Sequence, residues 1–156
     1  MSISLPPSVA STLAPAPSST TPSASHRTER RSLAAAEDEY ANPPSPIRIG
    51  SAEAATRELR EIARELRQPL RLDGVWQERA GAMRRLHAIL LGGACRLPSF
   101  AHLLHVHTCE PLSLQLRDLR SKCVKLACEV ISEASRALGT SYRESAVELL
   151  PTLLRV

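Results

Sequence analysis

An all-α fold of stacked helix pairs, preceded by an unstructured tail, is what this sequence predicts, and three observations predict it. Only 3% of the 156 residues are aromatic while 43% are hydrophobic. The core must therefore come from Leu, Ile, Val and Ala, which suit packed helices better than a β-sandwich. From Ser51 onward apolar residues recur at helical spacing, punctuated by Gly and Pro. Two helical segments also align at an offset of 45 residues, pairing Asp73 with Asp118, Ala82 with Ala127 and Leu86 with Ile131. That offset lies in the roughly 40–47-residue period of HEAT and armadillo repeats, so the expected architecture is a HEAT-like α-solenoid.

Residues 1–50 hold eight of the twelve prolines, with Ser, Thr and Ala filling most of the rest. Such a stretch cannot bury enough apolar surface to offset its ordering entropy, and it is expected to be a disordered tail. The first helix starts at Ser51, a candidate N-cap with Glu53 in the first turn. Leu59, Ile62, Ala63 and Leu66 form its apolar face, and Glu53, Arg57 and Glu61 offer i,i+4 pairs on the other side. Pro69 ends it. The second helix runs from Trp76 to Leu91, with Asp73 as a cap candidate, Gly92-Gly93 as the stop, and Ala80, Met83, Leu86, Ile89 and Leu90 inward. The third begins near Ser99, buries Phe100, Leu103 and Leu104, and is expected to kink or break at Pro111, with Leu112 and Leu116 continuing the stripe. The fourth starts near Asp118 and ends at Gly139, burying Val124, Ala127, Ile131, Ala134 and Leu138. The fifth spans about Arg143 to Leu154, with Ala146, Leu149, Leu150, Leu153 and Leu154 apolar.

The net charge of +4 is confined to residues 51–156, because four arginines meet four acidic residues in the first fifty. A mild positive balance suits an acidic protein partner as well as nucleic acid. The sequence has no apolar run of the roughly 18 residues that a membrane span needs. Cys95, Cys109, Cys123 and Cys128 make no CxxC pair and read as buried reduced thiols of a cytosolic protein. His102, His105 and Cys109 share an i, i+3, i+7 face that could carry zinc ligands. Pro111 disturbs the end of that face and no CxxC or HxxxH pair supports it, so neither metal nor cofactor is expected. No Ser/His/Asp order, phosphate-binding Gly loop or paired carboxylate site points to catalysis or to a small-molecule substrate.

A set of short motifs, taken in order, is more specific than any one of them. Val75-Trp76-Gln77-Glu78-Arg79-Ala80 opens a helix that ends in Leu90-Leu91-Gly92-Gly93-Ala94. Pro98-Ser99-Phe100 follows, then Leu116-Arg117-Asp118-Leu119-Arg120-Ser121, Val124-Lys125 and Ala127-Cys128. Leu138-Gly139 and Ala146-Val147-Glu148-Leu149-Leu150-Pro151-Thr152-Leu153-Leu154 close the series. Over residues 73–156 this order and spacing resembles the TOG domains of CLASP proteins. The crescerin proteins of cilia resemble it less. The resemblance implies a TOG-type paddle of HEAT repeats over residues 51–156, incomplete because family domains run to about twice the matched length. It also implies a non-enzymatic microtubule regulator in the cytoplasm, on the cytoskeleton, at the spindle or cilium. The turns inside each helix pair would bind αβ-tubulin and favour microtubule stabilisation or rescue. A HEAT scaffold for another protein or for nucleic acid is the alternative, with nucleic acid the less expected partner.

The expected contact residues fall in two turns. Trp76, matched to the family's contacting tryptophan and the only tryptophan in the chain, is a large amphipathic ring at a helix start. The other reading of Trp76 is an inward staple across the first two helices. Gln77 is adjacent, and Arg79 either reaches the partner or braces the turn through Glu78 or a carbonyl. In the second turn Arg117, Arg120, Lys122 and Lys125 stand against Asp118 alone, with Ser121 among them. Such a turn attracts an acidic surface and is salt-sensitive. Cations at a helix start oppose its dipole, a local inconsistency that function could explain. In the plainer reading Asp118 is simply the N-cap of a solvated helix start.

Overall fold

The computed structural model describes residues 42–70 and 74–156. The expected tail, up to residue 41, and the Asp73 cap fall outside the described residues. Five α-helices follow: α1 Ala52–Leu66, α2 Trp76–Leu91, α3 Phe100–Gln115, α4 Ser121–Leu138 and α5 Arg143–Leu153. Short 3-10 turns, Ala94–Arg96 and Gly139–Tyr142, precede α3 and α5. Among the described residues there is no strand.

The packing is that of a two-layer solenoid. Helix α1 pairs with α2, and α3 with α4. Each helix also packs on the one two places along: α1 on α3, α3 on α5, and α2 on α4. One layer is therefore α1, α3 and α5, and the other is α2 and α4. Helices α2 and α4 begin 45 residues apart, the offset of the sequence repeat. This is the HEAT-like α-solenoid that the periodicity predicts.

The local signals explain most boundaries. Ser51 caps α1, its hydroxyl accepting the Ala54 N–H at 3.2 Å, and Ala55, Leu59, Ile62, Ala63 and Leu66 are buried. Glu61 pairs with Arg64, while Arg85 of α2 reaches Glu65 at 3.1 Å. All five apolar residues expected inside α2 are buried. Gly92 ends α2 and Gly93 takes a left-handed φ of 82°. A Cβ on Gly92 would lie 1.8 Å from the Ile47 carbonyl oxygen, because the irregular segment 43–50 passes there. The Ile47 N–H donates to the Ala88 carbonyl at 2.8 Å. Residues 43–50, which composition groups with the tail, thus include a segment that contacts the end of α2.

Three further expectations need correction. Pro111 does not break α3, which runs unbroken to Gln115. The lost N–H bond is a local cost, and the same helix buries Phe100, Leu104, Cys109, Pro111, Leu112 and Gln115 against its neighbours. Helix α4 starts at Ser121 rather than near Asp118. Its buried stripe is Cys123, Leu126, Ala127, Val130, Ile131 and Ala134, with Val124 and Leu138 only half-buried. In α5 only Leu149 of the expected apolar set is buried, while Leu150 and Leu154 are 52% and 79% exposed. Helix α5 packs on α3 along one side, and among the described residues no helix lies over the other.

Candidate functional site

The two turns that carry the expected contact residues lie side by side on one edge. One joins α1 to α2 and the other, Leu116–Arg120, joins α3 to α4. A buried polar cluster locks them together, and Arg79 is at its centre. Arg79 points inward from the first turn of α2 and is fully buried. Its Nη2 pairs with Asp118 Oδ2 at 2.5 Å, Nε donates to Gln115 Oε1 at 3.1 Å, and Nη1 donates to the Pro69 carbonyl at 2.9 Å. Gln115 in turn donates from Nε2 to the Leu66 carbonyl at 2.7 Å, capping the end of α1. Arg120 closes the circuit, donating from Nη1 to the Leu70 carbonyl at 2.9 Å.

This corrects the reading of two residues. Arg79 is not on the surface, so it is a brace of the edge, through a carbonyl as one reading had it and through Asp118 rather than Glu78. Glu78 instead accepts from Gln68 at 2.7 Å. Asp118 is no helix cap. Its Oδ1 accepts the Arg120 N–H two residues on, at 2.9 Å, in the manner of an Asx turn, while its other oxygen faces the buried guanidinium. A buried charge needs a partner and satisfied hydrogen bonds, and this pair has both.

The remaining predicted residues lie on the outer side of the same edge. Trp76 is half-buried, and Lys122 Nζ from the neighbouring turn sits 5.8 Å from its ring centroid, within cation–π range. Gln77, Arg117, Ser121 and Lys125 are exposed, and Arg120 and Lys122 are half-buried. Lys125 approaches Glu129 at 3.9 Å, and Arg117 Nη2 reaches Thr152 Oγ1 of α5 at 3.4 Å. The cations at the start of α4 thus have local roles: Arg120 satisfies the carbonyl of Leu70, and Lys122 covers the Trp76 ring. Because Asp118 spends its charge on Arg79, the outer face of the second turn is cationic.

One residue had not been singled out. Leu119, at the tip of the second turn, is 96% exposed. It lines an open depression of about 630 Å³ together with Leu70, Arg117 and Arg120. The signal was present as a lone leucine between an aspartate and an arginine in a polar turn. An aromatic ring, an apolar knob and flanking cations on a rigid edge are the elements of a protein-binding surface.

These features define a segment of a HEAT-type α-solenoid whose intra-pair turns are locked into one edge. In sequence the chain is related to the CLIP-associating proteins, the CLASP family. It is 31% identical over 141 residues, 90% of its length, to a CLIP-associated protein of Arabidopsis thaliana. It is 28% identical over 103 residues to CLIP-associating protein 1-B of Xenopus laevis and to CLIP-associating protein 1 of Xenopus tropicalis. The chain spans 10% of the plant protein and 7% of each frog protein. No protein-family model matches it.

Proposed function

We propose that this chain is a TOG-type module that binds αβ-tubulin through the edge formed by its two intra-pair turns, and so acts on the microtubule cytoskeleton. The observation that carries the reading is the lock between the turns. Arg79, Asp118, Gln115 and Arg120 fix Trp76 and Leu119 relative to each other before any partner arrives. A rigid edge saves the ordering entropy that loops otherwise lose on binding. Trp76 and Leu119 supply apolar anchors. Arg117, Lys122 and Lys125 supply attraction to an acidic surface, raising the association rate more than the final affinity. The CLASP relationship supports a microtubule-associated role, and stabilisation or rescue of microtubules would be its outcome in the parent protein.

Gel filtration with purified αβ-tubulin tests the proposal. Co-elution of the two, lost as salt rises, is the expected result. Separate elution at low salt and micromolar concentrations would count against tubulin as the partner.

A further inference from the structure

The contact between α3 and α5 contains a second cluster, unrelated to the turn edge. We infer that His105 and Cys109 of α3, with Glu148 of α5, form a binding site for a borderline divalent cation, Zn²⁺ foremost. The donor atoms of all three lie within 4.8 Å of one another. His105 and Cys109 are one helical turn apart, so both side chains project from one face, and Glu148 meets them from the facing helix. Donors at about 2.0–2.3 Å from a tetrahedral zinc are roughly 3.3–3.8 Å apart. Small side-chain rotations would close the remaining gap.

The hydrogen bonding points the same way. Ser145 Oγ lies 3.2 Å from His105 Nδ1, which fixes the ring and leaves Nε2 toward Glu148. Orienting one ring nitrogen through a second residue is how proteins prepare a histidine ligand. His105 Nε2 and Glu148 Oε2 are 3.9 Å apart, too far for a hydrogen bond and close to the spacing of two donors on a shared ion. The Cys109 S–H is directed at the Ser145 carbonyl, with Sγ 3.8 Å from its oxygen, and the Glu148 carboxylate lies close to the same sulfur. The cluster also has an entrance, since Cys109 is buried, His105 half-buried and Glu148 51% exposed. On binding, the sulfur–hydrogen bond breaks, a metal–sulfur bond forms and the proton leaves to solvent. His, Cys and carboxylate donors together suit zinc rather than calcium or magnesium.

The sequence set metal aside for His102, His105 and Cys109 because Pro111 disturbs the end of their face and no CxxC or HxxxH pair supports it. The helix is continuous and the third donor comes from a helix 39 residues away. Occupied, the site would tie one helix of the layer to the next.

Chelator-treated protein titrated with Zn²⁺, and with Co²⁺ as a spectroscopic probe, tests the inference. The expected result is one equivalent bound and a thiolate-to-cobalt charge-transfer band. Cys109→Ser should abolish the band, whereas Cys95→Ser and Cys128→Ser should keep it. Glu148→Gln, on the solvent side, should fold normally and bind at least about tenfold more weakly, which keeps the test decisive if Cys109→Ser fails to fold. Absence of the band at stoichiometric cobalt, its persistence in Cys109→Ser, or undiminished zinc affinity in Glu148→Gln would each overturn the site.

Discussion

Asp118→Ala probes the lock between the turns most directly. Asp118 and Arg79 side chains are 1% and 0% exposed, and their charged atoms are 2.5 Å apart. Removing one member of a buried pair leaves the other charge uncompensated, at a cost of about 3–5 kcal/mol. Arg79 would retain Gln115 and the Pro69 carbonyl, which places the expected loss near the lower end, about 3 kcal/mol. Small domains have only about 5–15 kcal/mol in total, so this is a large fraction. With a urea m-value of about 2 kcal/mol per molar, the unfolding midpoint should fall by about 1.5 M. Urea titration followed by far-ultraviolet circular dichroism measures it. The double variant Arg79→Met, Asp118→Leu should recover most of the loss, because apolar replacement of a whole buried pair is often neutral or better. It should still bind its partner poorly, since the two turns are no longer held in register. If Asp118→Ala costs under about 1 kcal/mol, as an exposed pair would, the lock is not the element that rigidifies this edge.

Three other outcomes follow from the structure. Arg117→Glu should weaken tubulin binding more at low salt than at high salt, and a loss independent of salt would mean the cation does not act through charge. Gly92→Ala would drive a Cβ into the Ile47 carbonyl, so hydrogen exchange at the Ile47 amide should accelerate while α2 stays protected; unchanged protection at Ile47 would contradict the crossing. Leu150→Glu with Leu154→Glu should leave the thermal midpoint nearly unchanged, because both side chains are already exposed; a large drop in the midpoint would mean that they are packed.

Much of the fold was legible because the decisive signals are local. Ser51, Pro69, the Gly92-Gly93 pair and Gly139 bracket helices whose apolar residues keep one period, and the 45-residue offset reappears as α2 stacked on α4. Pro111 was misread because helix propensity counts a proline's local cost and not the burial of the residues around it. The site was legible as two turns on one edge, and less so as to which side chains face outward. An arginine on a helix is ordinarily exposed. Arg79 is inside because Asp118, 39 residues away, meets it there, and no spacing rule reports a contact of that range. The same blindness hid Glu148 from His105 and Cys109. Leu119 was missed for the opposite reason, since a leucine invites assignment to a core stripe and this one stands in solvent.

Whether the intra-pair edge is the surface proposed to bind tubulin is decided by comparing the tubulin affinities of two single variants. Trp76→Ala removes the ring proposed as the anchor on the intra-pair edge, and Arg96→Glu changes an exposed residue in the α2–α3 connection on the opposite edge. The prediction is that Trp76→Ala, with its helical signal retained, binds at least about 30-fold more weakly, the effect of a hot spot of about 2 kcal/mol, while Arg96→Glu binds like the parent. Equal affinity of Trp76→Ala and parent, or a greater loss in Arg96→Glu, would contradict it.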